Sequence, residues 1–193
     1  MLLTVFLIIS LLLAISFHEA AHAWAANRLG DPTARHNGRL TLNPIAHLDP
    51  LGTLALIFVH IGWGKPVPVN PHNLKHPSRD NFLIALSGPA VNLLLALLGA
   101  GILYFTVNIE FLASFLSTFI SLNIILMVFN LLPIPPLDGS KIWHLILSDE
   151  SYYTLEQMGP FILIAVLVFS STTGGFLFNF IENASRFIIA VIT

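Results

Sequence analysis

The sequence contains no cysteine among its 193 residues. Disulfide bonds, thiolate metal ligands and a cysteine nucleophile are therefore all excluded. Any bound metal ion must take its ligands from histidine, aspartate or glutamate. Charged residues are also scarce, at 9% of the chain against a usual share of about 25%. A net charge of −2 and the lack of any run of lysine or arginine argue against nucleic acid as a partner.

Apolar residues, by contrast, make up 55% of the chain, and the mean hydropathy is +0.83. This composition is typical of a membrane protein, in which a spanning helix needs about 20 apolar residues. The fourth apolar segment of the chain is short unless it also includes residues 152–157. The fifth carries a glutamate and an arginine four residues apart, which can pair on one helix face. The five segments are Leu2 to about Leu29, Phe82–Val107, Phe111–Leu132, Met158–Ser170 and Phe176–Ile192.

These segments predict an all-α polytopic membrane protein, a bundle of four to six transmembrane helices. Two smaller features are expected after the first helix. Residues Arg39–Asn43 alternate polar and apolar side chains and predict a short β-strand. Residues Leu51–Trp63 are apolar but too short to span, which favours an interfacial or re-entrant segment.

The basic residues indicate how the chain is oriented in the membrane. Six of the eight lie within the loop 30–80 or just before it, and by the positive-inside rule this loop is cytoplasmic. If each apolar segment crosses once, the first and third helices both end on this side. Side chains at those two ends can therefore meet.

Residues 18–22 form an H-E-x-x-H motif at the end of the first apolar segment. On a helix, His18 and His22 lie on one face, one turn apart, where two imidazoles can bind one Zn²⁺. Glu19 can then take a proton from the attacking water. Ionisable side chains within a spanning helix are costly and usually functional, so these three are predicted to form a zinc site with its catalytic base.

A catalytic zinc ion commonly has three protein ligands, and Asp138 is the best candidate for the third. It follows a stretch with three prolines, Pro133, Pro135 and Pro136, which cannot continue the third helix. Non-helical backbone at membrane depth is tolerated where protein or a water-filled cavity surrounds it. The loop can therefore fold back and present Asp138 to the metal. The alternative is a solvent-exposed turn with Asp138-Gly139 at its tip.

Together these motifs resemble those of the site-2 protease family of intramembrane metalloproteases. The resemblance rests on residues 18–22, on the pattern N-x-x-P-x-P-x-x-D-G at 130–139, and on the segments 43–52 and 88–92. It covers roughly residues 10 to 145 and implies that His18, His22 and Asp138 bind one zinc ion while Glu19 acts as base. The short form, with no PDZ domain between the motifs, is similar to bacterial and archaeal members.

The resemblance also implies what the protein does. Its substrate is expected to be a transmembrane segment of another protein, cleaved in regulated intramembrane proteolysis in a prokaryotic cell membrane, with the active site towards the cytoplasm. We expect a single domain over 1–193, with a catalytic core at about 1–147 and C-terminal helices at about 152–193. An extended substrate could add to a sheet edge near the predicted strand.

Other polar residues allow two roles each. Asn130 matches a family asparagine and could stabilise the oxyanion of the tetrahedral intermediate, or cap the third helix. Asn92 could orient a metal ligand or form a helix–helix hydrogen bond. His47 is interpreted as a loop residue that could support a ligand, and His144 as interfacial. The remaining histidines are assigned to the loop surface: His36, His60, His72 and His76.

Three other functions remain open. A metal-binding or metal-transport protein also uses intramembrane histidines and acids, but would need ligands along several spans. A non-catalytic scaffold would not need the base. A prenyl-protein protease would take a glutamate as third ligand. Glu110 falls on the opposite side of the membrane, whereas Glu150 and Glu156 remain possible.

Overall fold

The computed structural model describes residues 1–49, 52 and 64–193. Within these residues the chain forms a helical bundle, as predicted. Four helices are long and apolar enough to cross a membrane, and a fifth of 17 residues follows them. In chain order they are α1 (Leu2–Leu29), α2 (Pro77–Thr106), α3 (Glu110–Asn130), α4 (Asp149–Thr172) and α5 (Phe176–Ile192).

Local sequence signals explain where these helices begin and end. Helix α1 ends at Gly30, whose φ of 112° suits glycine. Helix α2 starts one turn before the apolar run, at Pro77, because proline suits the first turn and Asp80 accepts a hydrogen bond from the His76 N–H at 3.0 Å. Helix α4 starts after Ser148 and includes residues 152–157, which gives it the length to span.

The core is formed where α1, α2 and α3 pack together. Small residues allow the close approach that membrane helices need. Ala14, Ala23 and Ala26 of α1 are fully buried. On α2, Gly99 lies against Ile120 of α3, so closely that a Cβ at Gly99 would be 3.0 Å from that side chain. Helix α5 adds to the same apolar core through two buried side chains, Leu177 and Ile181.

The strand predicted over Arg39–Asn43 is wrong. The polar residue Arg39 is buried, with 4% of its surface exposed, whereas Leu40 and Leu42 are 39% and 53% exposed. The burial is thus the reverse of a half-buried strand. Asn43 caps a 3₁₀ turn over Pro44–Ala46 by accepting from the Ile45 N–H at 3.1 Å. An isolated antiparallel bridge joins Leu48 and Gly64.

The prediction of an interfacial or re-entrant segment over Leu51–Trp63 lies outside the described residues, apart from Gly52. The pair predicted on α5 is present. Glu182 and Arg186 form an ion pair with an N–O distance of 2.6 Å on the exposed side of that helix.

Candidate metal centre

The structure brings His18, His22 and Asp138 together. The two histidines are buried on α1, and their Nε2 atoms are 3.0 Å apart. Asp138 Oδ2 lies 3.1 Å from Nε2 of His18 and 3.4 Å from Nε2 of His22. One atom of each side chain therefore faces a common point, with the geometry of a group that could hold a metal ion.

Asp138 reaches this point because the chain folds back after α3. The helix ends at Asn130, and a 3₁₀ segment begins at Asp138. The indole N–H of Trp143 donates to the Pro133 carbonyl at 2.9 Å, which ties the two ends of the fold-back together. Gly139 lies directly on the end of α3, where a Cβ would be 2.2 Å from the Leu131 carbonyl oxygen. Only glycine fits this approach.

Hydrogen bonds determine the tautomer of both histidines. His18 Nδ1 is 2.6 Å from Asn92 Oδ1, and His22 Nδ1 is 2.8 Å from the Ile84 carbonyl. Both partners are oxygens that only accept, so each Nδ1 donates its proton. A neutral imidazole carries one N–H. In the neutral form, both Nε2 atoms therefore present lone pairs towards Asp138.

This arrangement fits a zinc ion. Two lone-pair nitrogens and a carboxylate oxygen at 3.0–3.4 Å would repel one another without a cation between them. Asp138 Oδ2 is buried and accepts no hydrogen bond from the described residues. Tetrahedral zinc with ligands at about 2.0–2.1 Å separates neighbouring ligand atoms by about 3.3 Å. The donor set is also one that zinc prefers.

Gly88 of α2 makes room for the two imidazoles. A Cβ at this position would lie 2.5 Å from His22 Nε2 and 2.6 Å from His18 Cε1. Such distances are far below van der Waals contact. Helix α2 can thus pass directly over the metal-facing side of the histidines only because residue 88 has no side chain.

Glu19 follows His18 on α1 and is half-buried. Its Oε1 atom is 3.9 Å from the position of a Cβ at Gly64, so the loop backbone runs beside the carboxylate. Arg39 braces this loop by donating to the carbonyls of Lys65 and Pro66. Burial lowers the pKa of Arg39, and the negative charge of Glu19 partly offsets that effect.

Two further polar predictions have clear structural outcomes. Asn92 accepts from His18 and donates to Asn123 of α3, so the predicted helix–helix hydrogen bond is present, while its role in orienting a metal ligand stays a prediction. The amide of Asn130 donates to the Leu126 carbonyl within α3 at 3.0 Å and is not part of the metal-facing cluster. Its predicted catalytic role stays a prediction.

The other histidines lie apart from the cluster. His47 is fully buried in the loop, where its Nε2 donates to the Thr41 carbonyl and its Nδ1 faces Arg39. His144 is buried within the protein and stacked on Tyr152, with 4.0 Å between ring centroids, and its predicted interfacial position stays a prediction. His36, His72 and His76 are exposed as predicted, and His60 lies outside the described residues.

Sequence reasoning missed Asn123 of α3. Its side chain is fully buried and its Oδ1 accepts from Asn92 Nδ2 at 2.9 Å. The signal that could have found it is an asparagine near the middle of an apolar span, since such residues rarely lack a partner.

A buried H-E-x-x-H motif whose two histidines face an aspartate, within a bundle of apolar helices, is typical of an intramembrane metallopeptidase. Comparisons with known proteins agree. The model of peptidase family M50 matches residues 106–172. YwhC of Bacillus subtilis, provisionally named a zinc metalloprotease, is 38% identical over 191 residues, covering 94% of this chain and 87% of YwhC.

Two mycobacterial relatives carry the same provisional designation. Rip2 of Mycobacterium tuberculosis is 34% identical over 176 residues, covering 87% of this chain and 68% of Rip2. Rip2 of Mycolicibacterium smegmatis is 33% identical over 175 residues, covering 81% of this chain and 64% of Rip2. No solved structure matches the chain.

The chain therefore belongs to peptidase family M50, the site-2 protease family. It is an intramembrane zinc metalloprotease, with Zn²⁺ as its cofactor. Its apolar helices and bacterial relatives place it in a prokaryotic membrane. Membership of a peptidase family favours this function over metal transport or a scaffold, and membership of family M50 in particular favours it over a prenyl-protein protease.

Proposed function

We propose that His18, His22 and Asp138 hold the zinc ion and that Glu19 is the general base for peptide-bond hydrolysis. The observation that carries this proposal is the convergence of two lone-pair imidazole nitrogens and one buried carboxylate oxygen on a single point. Glu19 adjoins this point on the same helix and makes no hydrogen bond to another described side chain. It is therefore free to exchange a proton.

The residues divide the chemistry between them. When bound, zinc polarises the substrate carbonyl and makes the attacking water more acidic. His18 and His22 are each held in orientation by the hydrogen bond that Nδ1 donates. Glu19 accepts a proton from the attacking water and then delivers it to the leaving amine nitrogen as the peptide bond breaks. The Glu19 carboxyl group thus takes up and releases the single proton that is transferred.

Asn130 remains the proposed donor to the oxyanion. Its amide now donates to the Leu126 carbonyl of its own helix, an oxygen that keeps its helical partner, the backbone N–H four residues on, when the side chain leaves. Rotation of the side chain about χ1 would release the amide towards a substrate oxygen. This hydrogen bond would stabilise the transition state and not the bound substrate.

The proposed substrate is a peptide bond in or near a transmembrane segment of another protein. The catalytic groups lie where α1 and the fold-back after α3 meet, on the same side as the loop that carries most of the basic residues. This supports an active site towards the cytoplasm. A substrate helix hides its carbonyls in internal hydrogen bonds, so it must unwind locally before cleavage. One domain over 1–193 would be sufficient for all these steps.

The test compares Glu19→Gln with Glu182→Gln, the same change in the exposed ion pair of α5. Both variants are reconstituted in vesicles with a reporter made of one transmembrane helix between two tags, which the wild type cleaves. We expect Glu19→Gln to retain about one zinc ion per chain and to lose cleavage by at least about 10²-fold, while Glu182→Gln cleaves normally. Normal cleavage by Glu19→Gln would remove the assigned base.

A further inference from the structure

Two asparagines form a buried polar contact between α2 and α3. Asn92 and Asn123 are both fully buried, although each lies in a helix that is apolar enough to cross a membrane. An amide side chain in such surroundings is costly unless its oxygen and its NH₂ group are both paired. The hydrogen bonds that satisfy these two amides lead from α3 to the metal centre.

The direction of every bond in this chain is determined. Asn123 Nδ2 donates to the Phe119 carbonyl at 2.9 Å, so Asn123 Oδ1 is the atom that faces α2. That oxygen accepts from Asn92 Nδ2 at 2.9 Å. Asn92 Oδ1 is thereby directed to the opposite side, where it accepts from His18 Nδ1 at 2.6 Å.

We propose that Asn123 is a positioning residue for the zinc centre, acting through Asn92 to fix the tautomer of His18. The inference rests on the proposed function, in which His18 is a zinc ligand. If the Asn92 amide turned over, its NH₂ group would face His18 Nδ1 and the imidazole would move its proton to Nε2. That proton would occupy the side of the ring that faces Asp138 and would block metal binding.

Asn123 is the strongest constraint on the Asn92 amide. The other acceptor for Asn92 Nδ2 is the Ala14 carbonyl, at 3.3 Å, which is long for a hydrogen bond of this kind. Without the Asn123 oxygen, little would distinguish the two orientations of the amide. His22 does not depend on this relay, because its Nδ1 donates directly to the Ile84 backbone carbonyl.

The experiment measures zinc affinity by chelator competition on the purified full-length chain. The variants are Asn123→Leu, Asn92→Leu and the double variant. Asn123→Ala repeats the loss of the acceptor without adding bulk, in case leucine overpacks the site. Met127→Leu, a change of similar volume one turn further along α3, controls for packing. The His18→Ala variant tests the ligand itself.

We expect Asn123→Leu and Asn123→Ala to weaken zinc binding about 10-fold, within the range of about 10–100-fold for lost partners of metal ligands. Met127→Leu should bind as the wild type does. If Asn123 acts through Asn92, replacing Asn123 in the Asn92→Leu variant should cause no further loss of zinc affinity. Independent, additive losses would show that Asn123 serves packing alone and would overturn the proposal.

A spectroscopic readout separates positioning from folding. In metal-free protein with ¹⁵N-labelled histidine, His18 should carry its proton on Nδ1 in the wild type, and an Nε2–H population should appear in the Asn123 variants. An unchanged tautomer, or wild-type zinc affinity in both Asn123 variants, would overturn this inference alone. Wild-type zinc affinity in His18→Ala would instead overturn the proposed ligand set.

Discussion

Asp138 Oδ2 lies 3.1 Å from His18 Nε2, although the two residues belong to segments separated by two further membrane helices. A neutral His18 that donates from Nδ1 to Asn92 has a lone pair on Nε2. A carboxylate oxygen and an imidazole lone pair at this distance repel each other. The contact is therefore best understood as two sides of a cation site, and it makes the fold-back after α3 part of that site.

Gly88 is predicted to be essential for metal binding. In Gly88→Ala the new Cβ would be placed 2.5 Å from His22 Nε2. Because the imidazoles are held by hydrogen bonds on their far side, they cannot withdraw without losing them. We expect zinc affinity to fall by at least about 10-fold, measured by chelator competition.

Gly101→Ala is the matched control for that change. Residue 101 lies on the same helix, and a Cβ there meets nothing within 4 Å. Its zinc affinity and cleavage rate should equal those of the wild type. Equal zinc affinity in the Gly88→Ala and Gly101→Ala variants would contradict the described packing of α2 over the histidines.

Gly139→Ala is expected to displace Asp138 by a different route. Here the added Cβ would be placed 2.2 Å from a backbone oxygen, that of Leu131, which cannot rotate away as a side chain can. The fold-back must therefore move as a unit. We expect loss of zinc together with a lower melting temperature in detergent, whereas the Gly88→Ala variant should lose zinc with a smaller thermal effect. A Gly139→Ala protein with normal zinc content would show that the loop tolerates the shift.

Asp31 ties the end of α1 to the loop that follows it. The carboxylate is fully buried and accepts from the Thr33 hydroxyl, the Asn70 N–H at 2.7 Å and the Asn73 amide at 2.8 Å. Burial by itself would raise the pKa of Asp31. The hydrogen bonds from Asn73, Thr33 and Asn70 outweigh burial, so the pKa lies below its ordinary value of 3.8.

The sign of this shift gives a pH prediction. A lowered pKa in the folded state means that the ionised carboxylate stabilises the fold above about pH 4, and that this contribution is lost as the pH falls through the folded-state pKa. Asp31→Asn should reduce the free energy of unfolding by about 1–3 kcal/mol at neutral pH. The difference from wild type should narrow below about pH 4 in thermal unfolding experiments. A difference that stays constant down to pH 3 would contradict the account.

The sequence was sufficient to predict the bundle because the apolar runs of a membrane protein are long and few charges interrupt them. It also pointed to the four proposed site residues, through the spacing of His18, Glu19 and His22 and the proline loop before Asp138. The helix ends were less accurate, since capping residues such as Asp80 and Ser148 extend helices beyond their apolar runs.

The contacts that the sequence did not predict depend on which helices and loops are neighbours in the fold. The relay from Asn123 to His18 requires α3 to lie against α2 at one register, and no local pattern specifies that register. The strand error has a related cause. Alternation at 39–43 is also typical of a half-buried strand with its leucines inside, but here Arg39 is the buried residue, because it donates to the carbonyls of Lys65 and Pro66, which are distant in sequence. Long-range hydrogen bonds overrode the local pattern.

The most direct test of the account is the zinc content of the purified protein, wild type beside Asp138→Ala, by elemental analysis. Asp149→Ala serves as control, because it removes a carboxylate that lies outside the cluster and is 79% exposed. We predict about one zinc ion per chain in the wild type and in Asp149→Ala, and little or none in Asp138→Ala. Full zinc content in Asp138→Ala would contradict the three-residue site and the role assigned to the fold-back after α3.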